Sequence, residues 1–214
     1  MSLREHFETH GWATLGPLLD ADALARLQAE AARLIDTAAA TIGRSRQDYL
    51  RIVQQWPDPW RGSDAFAALT HHPGILDPAR RILGSPTLRL LRQHLVIKPA
   101  GMAHELPWHQ DLATWPLTDP EAAVAVWVAL DEVEEATGAV RYISGSHREP
   151  GEGIDAVVVP VEAGAGLLHH ALVWHASATN NTPAWRRACI HVLARPDAAP
   201  RAGAAWDPAH HPLR

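Results

Sequence analysis

Leu88-Arg89-Leu90-Leu91-Arg92-Gln93-His94-Leu95-Val96-Ile97-Lys98 is the first long extended run of the chain, and it begins directly after the breaker sequence Gly84-Ser85-Pro86-Thr87. Further short runs follow: the segment around Trp108 to Leu112, then Ala122 to Leu130, Ala139 to Ile143, Ala156 to Val161, Gly166 to Trp174 and Arg187 to Ala194, separated by Gly, Pro, Asp and Asn. Short strands with turn residues at this spacing, and no helical pattern between them, predict a closed antiparallel sandwich or barrel and not βαβ units. The expected fold is mainly β with N-terminal helices, and a jelly roll fits best.

Upstream of this region, Gly11 to Leu15 has strand character. Asp20 then stands where it can cap a helix from Ala21 to about Thr37, with Leu24, Leu27, Ala31 and Leu34 on one apolar face. Residues 41–63 mix Arg44, Arg46, Tyr49, Arg51, Trp56 and Trp60 without periodicity, a composition that suits a pocket lining and an irregular surface loop equally. Short helices are expected from about Asp64 to Leu69 and from about Ile75 to Leu83, the second ended by Gly84. The Pro- and Ala-rich stretch 196–214 reads as an arm laid on the surface or a flexible end. One domain is expected over 1–214: a mostly helical part at 1–86, the jelly-roll core at 87–195 and the tail at 196–214.

Composition narrows the class. With 214 residues, 47% of them hydrophobic, the chain can bury one sizeable core. A net charge of -5, with arginines scattered and no basic stripe, argues against nucleic acid as a partner. No apolar run approaches the ~20 residues needed to span a bilayer, and Met1 to His6 lacks the apolar segment of a secretory signal, so a cytoplasmic protein away from membranes is expected. Cys189 is the only cysteine, which excludes an intrachain disulfide, and its apolar surroundings read as a buried core position.

The chemistry centres on Trp108-His109-Gln110-Asp111. In an extended strand residues two apart share a face, so the His109 imidazole and the Asp111 carboxylate can converge on one ion. One further histidine would complete the two-histidine, one-carboxylate set of non-heme iron, which leaves positions open for substrate and dioxygen. His-x-Asp alone arises often by chance, and fourteen histidines make selection by eye unsafe. His175 stands apart from the others because it closes the apolar run Ala171-Leu172-Val173-Trp174 and opens a polar one, where a ligand would face a barrel mouth. Arg186, near the start of the last strand, can aim a guanidinium into the same mouth if that strand pairs beside the one ending at His175. A metal with open positions beside a buried arginine suits a dicarboxylate cosubstrate, chelated at one end and gripped at the other.

The ordered set Trp108-His109-Gln110-Asp111, Trp127, Thr137-Gly138-Ala139-Val140, Ile143-Ser144-Gly145-Ser146-His147, His175-x-Ser177-x-x-Asn180 and Arg186 resembles the phytanoyl-CoA dioxygenase family of iron(II)/2-oxoglutarate oxygenases. The likeness extends to the opening strand and helix up to Leu34 and to Leu95-Val96-Ile97-Lys98-Pro99, and so covers almost the whole chain. It implies a double-stranded β-helix of cupin-like type holding iron(II) through His109, Asp111 and His175. It further implies 2-oxoglutarate held by Arg186, with Ser177 as a hydrogen-bond partner and Lys98 and Trp127 bordering the cosubstrate. With dioxygen, such a site converts 2-oxoglutarate to succinate and carbon dioxide and hydroxylates an unactivated C–H bond. Halogenating relatives have a small residue at the position of Asp111, so its carboxylate predicts hydroxylation.

Two turns depart from the family pattern, Thr137-Gly138 in place of Asn-Gly and Ser144-Gly145-Ser146-His147 in place of Pro-Gly-Ser-His. The brevity of the stretch from His147 to Ile154 argues against an acyl-CoA substrate and for a small or medium molecule, such as an amino-acid derivative or natural-product intermediate. Expected substrate contacts are Arg92, His94, Trp115 and Arg141 on strands reaching the mouth, with Tyr49 and Trp56 from the 41–63 loop. The arginines favour a substrate carrying a carboxylate or other anion, although some can serve surface ion pairs instead. A monomer or homodimer is expected. Two rival readings are a non-catalytic small-molecule-binding β-barrel that keeps the metal site, and a cupin-type isomerase or lyase using the ion as a Lewis acid; neither needs Arg186 and Ser177 as an anchor.

Overall fold

The computed structural model describes residues 1–101, 105–148, 156–204 and 212–213. It opens with a helix that the sequence reading did not anticipate, α1 (Leu3–His10), where Ser2 and Glu5 bond to each other's backbone N–H in a capping box. After β1 (Trp12–Leu15), Asp20 caps α2 (Ala21–Thr41), which buries Leu27, Ala31, Leu34, Ile35 and Ala39. The 41–63 stretch is more ordered than a loop. It contains α3 (Arg46–Leu50), β2 (Gln55–Pro57) and a 3-10 turn at Pro59–Arg61, then leads into α4 (Asp64–Thr70) and α5 (Pro73–Leu83).

The β region consists of β3 (Leu88–Lys98), β4 (Leu106–His109), β5 (Ala123–Ala129), β6 (Val140–Tyr142), β7 (Val157–Val159), β8 (Gly166–His170), β9 (His175–Ser177), β10 (Arg186–Ala194) and β11 (Pro212–Leu213). They build two antiparallel sheets, a large one in the order β1-β8-β5-β10-β3-β11 with β2 also on β3, and a small one in the order β4-β9-β6-β7. This is the expected jelly-roll architecture. The N-terminal part is not a separate layer alone, because it contributes β1 and β2 to the large sheet.

Period-two alternation divides the large sheet's side chains between two environments. Val124, Val126, Val128, Leu168, Cys189, Leu193, Leu95 and Ile97 pack against α2, α4 and α5. Trp127, Ala129, Leu167 and Ala188 face the small sheet and meet Val140, Tyr142 and Val173. Each buried large aliphatic side chain contributes about 1.5–3 kcal/mol to folding.

Three expectations need correction. The run Gly166–Trp174 is not one strand: His170 accepts from the Leu172 N–H through Nδ1 and from the Val173 N–H through its carbonyl, so the chain turns and crosses to the small sheet. His175 therefore opens β9 instead of closing its predecessor. Asp111 lies beyond β4, at the first position of a 3-10 turn (Asp111–Ala113). The described residues of the tail lie against the barrel as an arm and not as a flexible end: Leu117 bridges Pro200, and Leu213 is fully buried beside β3. Of the stretch His147 to Ile154, residues 149–154 fall outside the described residues. Among the described residues no helix is long and apolar enough to cross a membrane.

Candidate metal centre and cosubstrate cavity

His109 and His175 meet because β4 and β9 are paired with these two residues in register, and their rings lie 4.1 Å apart between centroids. Each ring is oriented from behind: His109 Nδ1 bonds the Pro107 carbonyl at 2.9 Å and His175 Nδ1 bonds the Val173 carbonyl at 3.0 Å. Both carbonyls only accept, so each Nδ1 carries the proton and each Nε2 presents a lone pair. The Asp111 turn brings Oδ1 to 3.5 Å from His109 Nε2 and 3.7 Å from His175 Nε2. The ligand atoms of the three residues all lie within 4.8 Å of one another, and they form a group able to hold a metal ion. Two neutral nitrogens and one carboxylate oxygen suit a divalent iron, zinc or cobalt, and three protein ligands leave positions open.

The electrostatics agree with this use. Burial alone would raise the Asp111 carboxyl, but the neighbouring imidazoles of His109 and His169 outweigh it and hold the group well below the usual carboxylate range. Burial, with His169 nearby, pushes His175 down to about 3 and keeps its ring neutral. His109 is also pulled down by burial, yet the Asp111 carboxylate lifts it above its ordinary value.

These ligands line a cavity of about 390 Å³ enclosed between the sheets. One end is closed by Arg186, which is 2% exposed. The sequence placed its strand beside the one bearing His175; the structure puts β10 in the opposite sheet, so Arg186 faces the site across the barrel. Its Nη2 donates to the Gly138 carbonyl at 3.0 Å, its guanidinium sits 5.4 Å from the Trp127 ring centre, and its buried Nε has no partner. Burial lowers it to about 10, so it remains cationic at neutral pH. Among the described residues no carboxylate pairs with it, and a buried cation in that state favours an anionic ligand. Ser177 and Trp127 line the same end. Lys98, opposite Arg186 in the β3–β10 register, donates to the carbonyls of Ser177 and Ala178, and burial beside Arg186 lowers it to about 8. Asn180 bonds the Lys98 and Ala184 carbonyls and braces the turn between β9 and β10.

Of the expected substrate contacts, Arg92, His94 and Trp115 line the cavity beyond the metal cluster. The other three do not. Arg141 stacks over Trp108 at 5.7 Å outside it. Tyr49 and Trp56 line a separate hollow against α2, because on β2 Trp56 aligns with core-facing Leu95 while Gln55 aligns with cavity-facing Val96 and takes the place expected of it. Thr114 and Tyr142 were not singled out from the sequence; Gln55 belongs to the 41–63 stretch offered as a pocket lining, and His169 fits the reading of a satisfied buried histidine. His169 Nε2 lies 3.1 Å from Asp111 Oδ2, and its Nδ1 lies 3.0 Å from the Tyr142 hydroxyl. The tail also takes part: Arg201 donates to the carbonyls of Leu112, Ala113 and Leu117, fixing the turn that presents Asp111. Gln110 holds the same turn through the Leu172 carbonyl at 2.5 Å.

The family model of phytanoyl-CoA dioxygenase (PhyH) matches residues 7–188. The chain belongs to the phytanoyl-CoA dioxygenase family. Among curated family relatives it is 31% identical over 152 residues to an ectoine dioxygenase of Streptomyces anulatus, covering 66% of this chain and 49% of that one. It is 28% identical over 177 residues to a probable alpha-ketoglutarate-dependent hypophosphite dioxygenase of Stutzerimonas stutzeri, covering 72% of this chain and 61% of that one. The chain thus spans about half to three-fifths of the length of these relatives. Among solved structures, the non-heme alpha ketoglutarate dependent epimerase SnoN from nogalamycin biosynthesis superposes with a TM-score of 0.80 at 26% identity, covering 99% of this chain and 94% of that one. The nickel complex of the non-heme monooxygenase ThoJ gives 0.80 at 30% identity, covering 94% and 80%.

Proposed function

We propose that this PhyH-family chain is an iron(II)- and 2-oxoglutarate-dependent oxygenase that hydroxylates an unactivated C–H bond of a small or medium molecule, releasing succinate and carbon dioxide. The observation that carries the reading is the pairing, in one cavity, of the His109, Asp111 and His175 cluster with a buried Arg186 whose Nε lacks a partner. A metal-binding barrel or a Lewis-acid isomerase has no need of the second element.

When bound, iron with 2-oxoglutarate and dioxygen supplies the oxidising power to break the C–H bond, the keto acid being cleaved to succinate. His109, Asp111 and His175 are the residues that would hold the metal, each through one atom. Arg186 is suited to take the far carboxylate of 2-oxoglutarate, with Ser177 as a further donor and Trp127 packed beneath the guanidinium. Lys98 adds positive charge at that end and ties the two sheets together there. At the other end Arg92, His94 and Trp115 border the space left for substrate. Arg92 makes no ion pair among the described residues, which favours a substrate with an anionic group. A cavity of about 390 Å³ suits a small molecule, such as an amino-acid derivative or natural-product intermediate, lying beside the cosubstrate.

The test is succinate release. Purified protein given iron(II), ascorbate and 2-oxoglutarate in air should form succinate slowly, faster with a matching substrate, and Asp111→Ala or His175→Ala should abolish it. Binding of iron and 2-oxoglutarate without turnover across a substrate panel would favour the non-catalytic barrel.

A further inference from the structure

Asp111 has two oxygens, and they face different partners. Oδ1 points to His109 and His175, whereas Oδ2 is 3.1 Å from His169 Nε2. An ionised carboxylate only accepts, so His169 Nε2 must be the donor. In the neutral ring Nδ1 is then an acceptor, and the Tyr142 hydroxyl at 3.0 Å donates to it. Tyr142 is fully buried and His169 is 3% exposed. Trp12 stacks flat on the Tyr142 ring, 5.2 Å between centroids at 7°, and is itself tied through Nε1 to Ser144 Oγ at 3.0 Å. The residues come from β1, β6 and β8, so three strands in both sheets set the proton positions behind one carboxylate.

We propose that Tyr142 and His169 are positioning residues that occupy Asp111 Oδ2 and so restrict Asp111 to ligating a metal through Oδ1 alone. The inference rests on the metal centre proposed above. A carboxylate turned to give both oxygens would use a coordination position that 2-oxoglutarate or dioxygen requires, and one with neither oxygen restrained would bind the ion more weakly. Partners of this kind are commonly worth 10–100-fold in metal affinity.

The test is cobalt(II) titration of metal-free protein, followed by calorimetry and by the visible absorption of the bound ion. His169→Phe keeps the ring volume and removes both hydrogen bonds; it should weaken cobalt(II) binding by roughly 10–100-fold and alter the spectrum. His169→Gln, whose amide can still donate to Oδ2, should recover most of the affinity. Tyr142→Phe removes one oxygen and should give a smaller loss in the same direction. Wild-type affinity and spectrum in His169→Phe would overturn the proposal, and so would a loss that Gln does not repair, which would mark the role as steric. Should the His169→Phe protein fail to fold, Tyr142→Phe decides, and unaltered affinity there is a refutation. Wild-type protein that takes up no cobalt(II) would overturn the metal centre itself and this proposal with it, whereas normal wild-type uptake unaffected by His169→Phe would overturn this proposal alone.

Discussion

Two adjacent arginines show how neighbours on one strand take opposite duties. Arg186 turns into the cavity and keeps a donor free, while Arg187 turns to the helical side and spends its donors on Asp131 and the Gln28 carbonyl. Losing one partner of a buried charged pair costs about 2–5 kcal/mol, so Arg186→Ala should raise the KM for 2-oxoglutarate at least roughly 30-fold, with little change in melting temperature. Arg187→Ala should do the reverse: stability measured by urea unfolding falls by about 3–5 kcal/mol because Asp131 loses its cationic partner, and KM stays near wild type. A KM effect confined to Arg187→Ala would reassign the anchor. At this scale the sequence singled out His109, Asp111, His175 and Arg186 where chemistry dictates residue type, and the structure gathers all four on one cavity. It said nothing of Tyr142 and gave His169 only a satisfied core or rim position, because the meaning of both depends on which strands fold behind Asp111. Trp56 was misread because a single step along β2 exchanges the cavity face for the core face, and Tyr49 because it lies in the short helix α3, packed toward α2.

Among the elements, the strands carry most of the candidate site residues, and the turns around the barrel mouth set how they are presented. Gly138 adopts φ 84°, and a Cβ there would stand 2.5 Å from the Ala178 carbonyl oxygen and 3.0 Å from Lys98 Cδ. Its own carbonyl receives Arg186. Gly138→Ala should therefore destabilise the protein by about 1–3 kcal/mol and raise the KM for 2-oxoglutarate, measured by urea unfolding and initial rates; a stability loss with an unchanged KM would detach this turn from the anchor. The Asp111 turn depends likewise on Arg201, and Arg201→Ala should loosen cobalt(II) by about tenfold or less. The strand segments and the helices α2, α4 and α5 could be read from alternation and capping, whereas the pairing of the Arg186 strand could not. Nor could two further features: the crossing after His170, where an apolar run conceals a change of sheet, and the 3-10 turn that replaces the expected strand at Asp111. In both, side-chain and tail contacts distant in sequence override local pattern.

For the molecule as a whole, buried histidines set the response to acid. Burial holds His147 at about 4 and His175 and His191 at about 3, and it also lowers His94 and His170. In the unfolded chain the same rings protonate near ~6.5. Between these values the unfolded state binds more protons, so stability is complete above about pH 6.5 and drains away as pH falls toward about 4. His109, raised by Asp111, opposes this in part. The melting temperature of metal-free protein should accordingly drop steadily from about pH 7 to about pH 4.5, and a flat profile would show that these rings are not kept neutral by the fold. Residues early and late in the chain meet behind one carboxylate: Trp12 backs Tyr142, and Arg201 grips the turn of Asp111. During synthesis the three ligands are therefore present before the groups that orient them are all in place. On the proposed reading, a chain cut before Arg201 lacks the bonds that fix the Asp111 turn and should hold a metal ion less firmly than the closed barrel does.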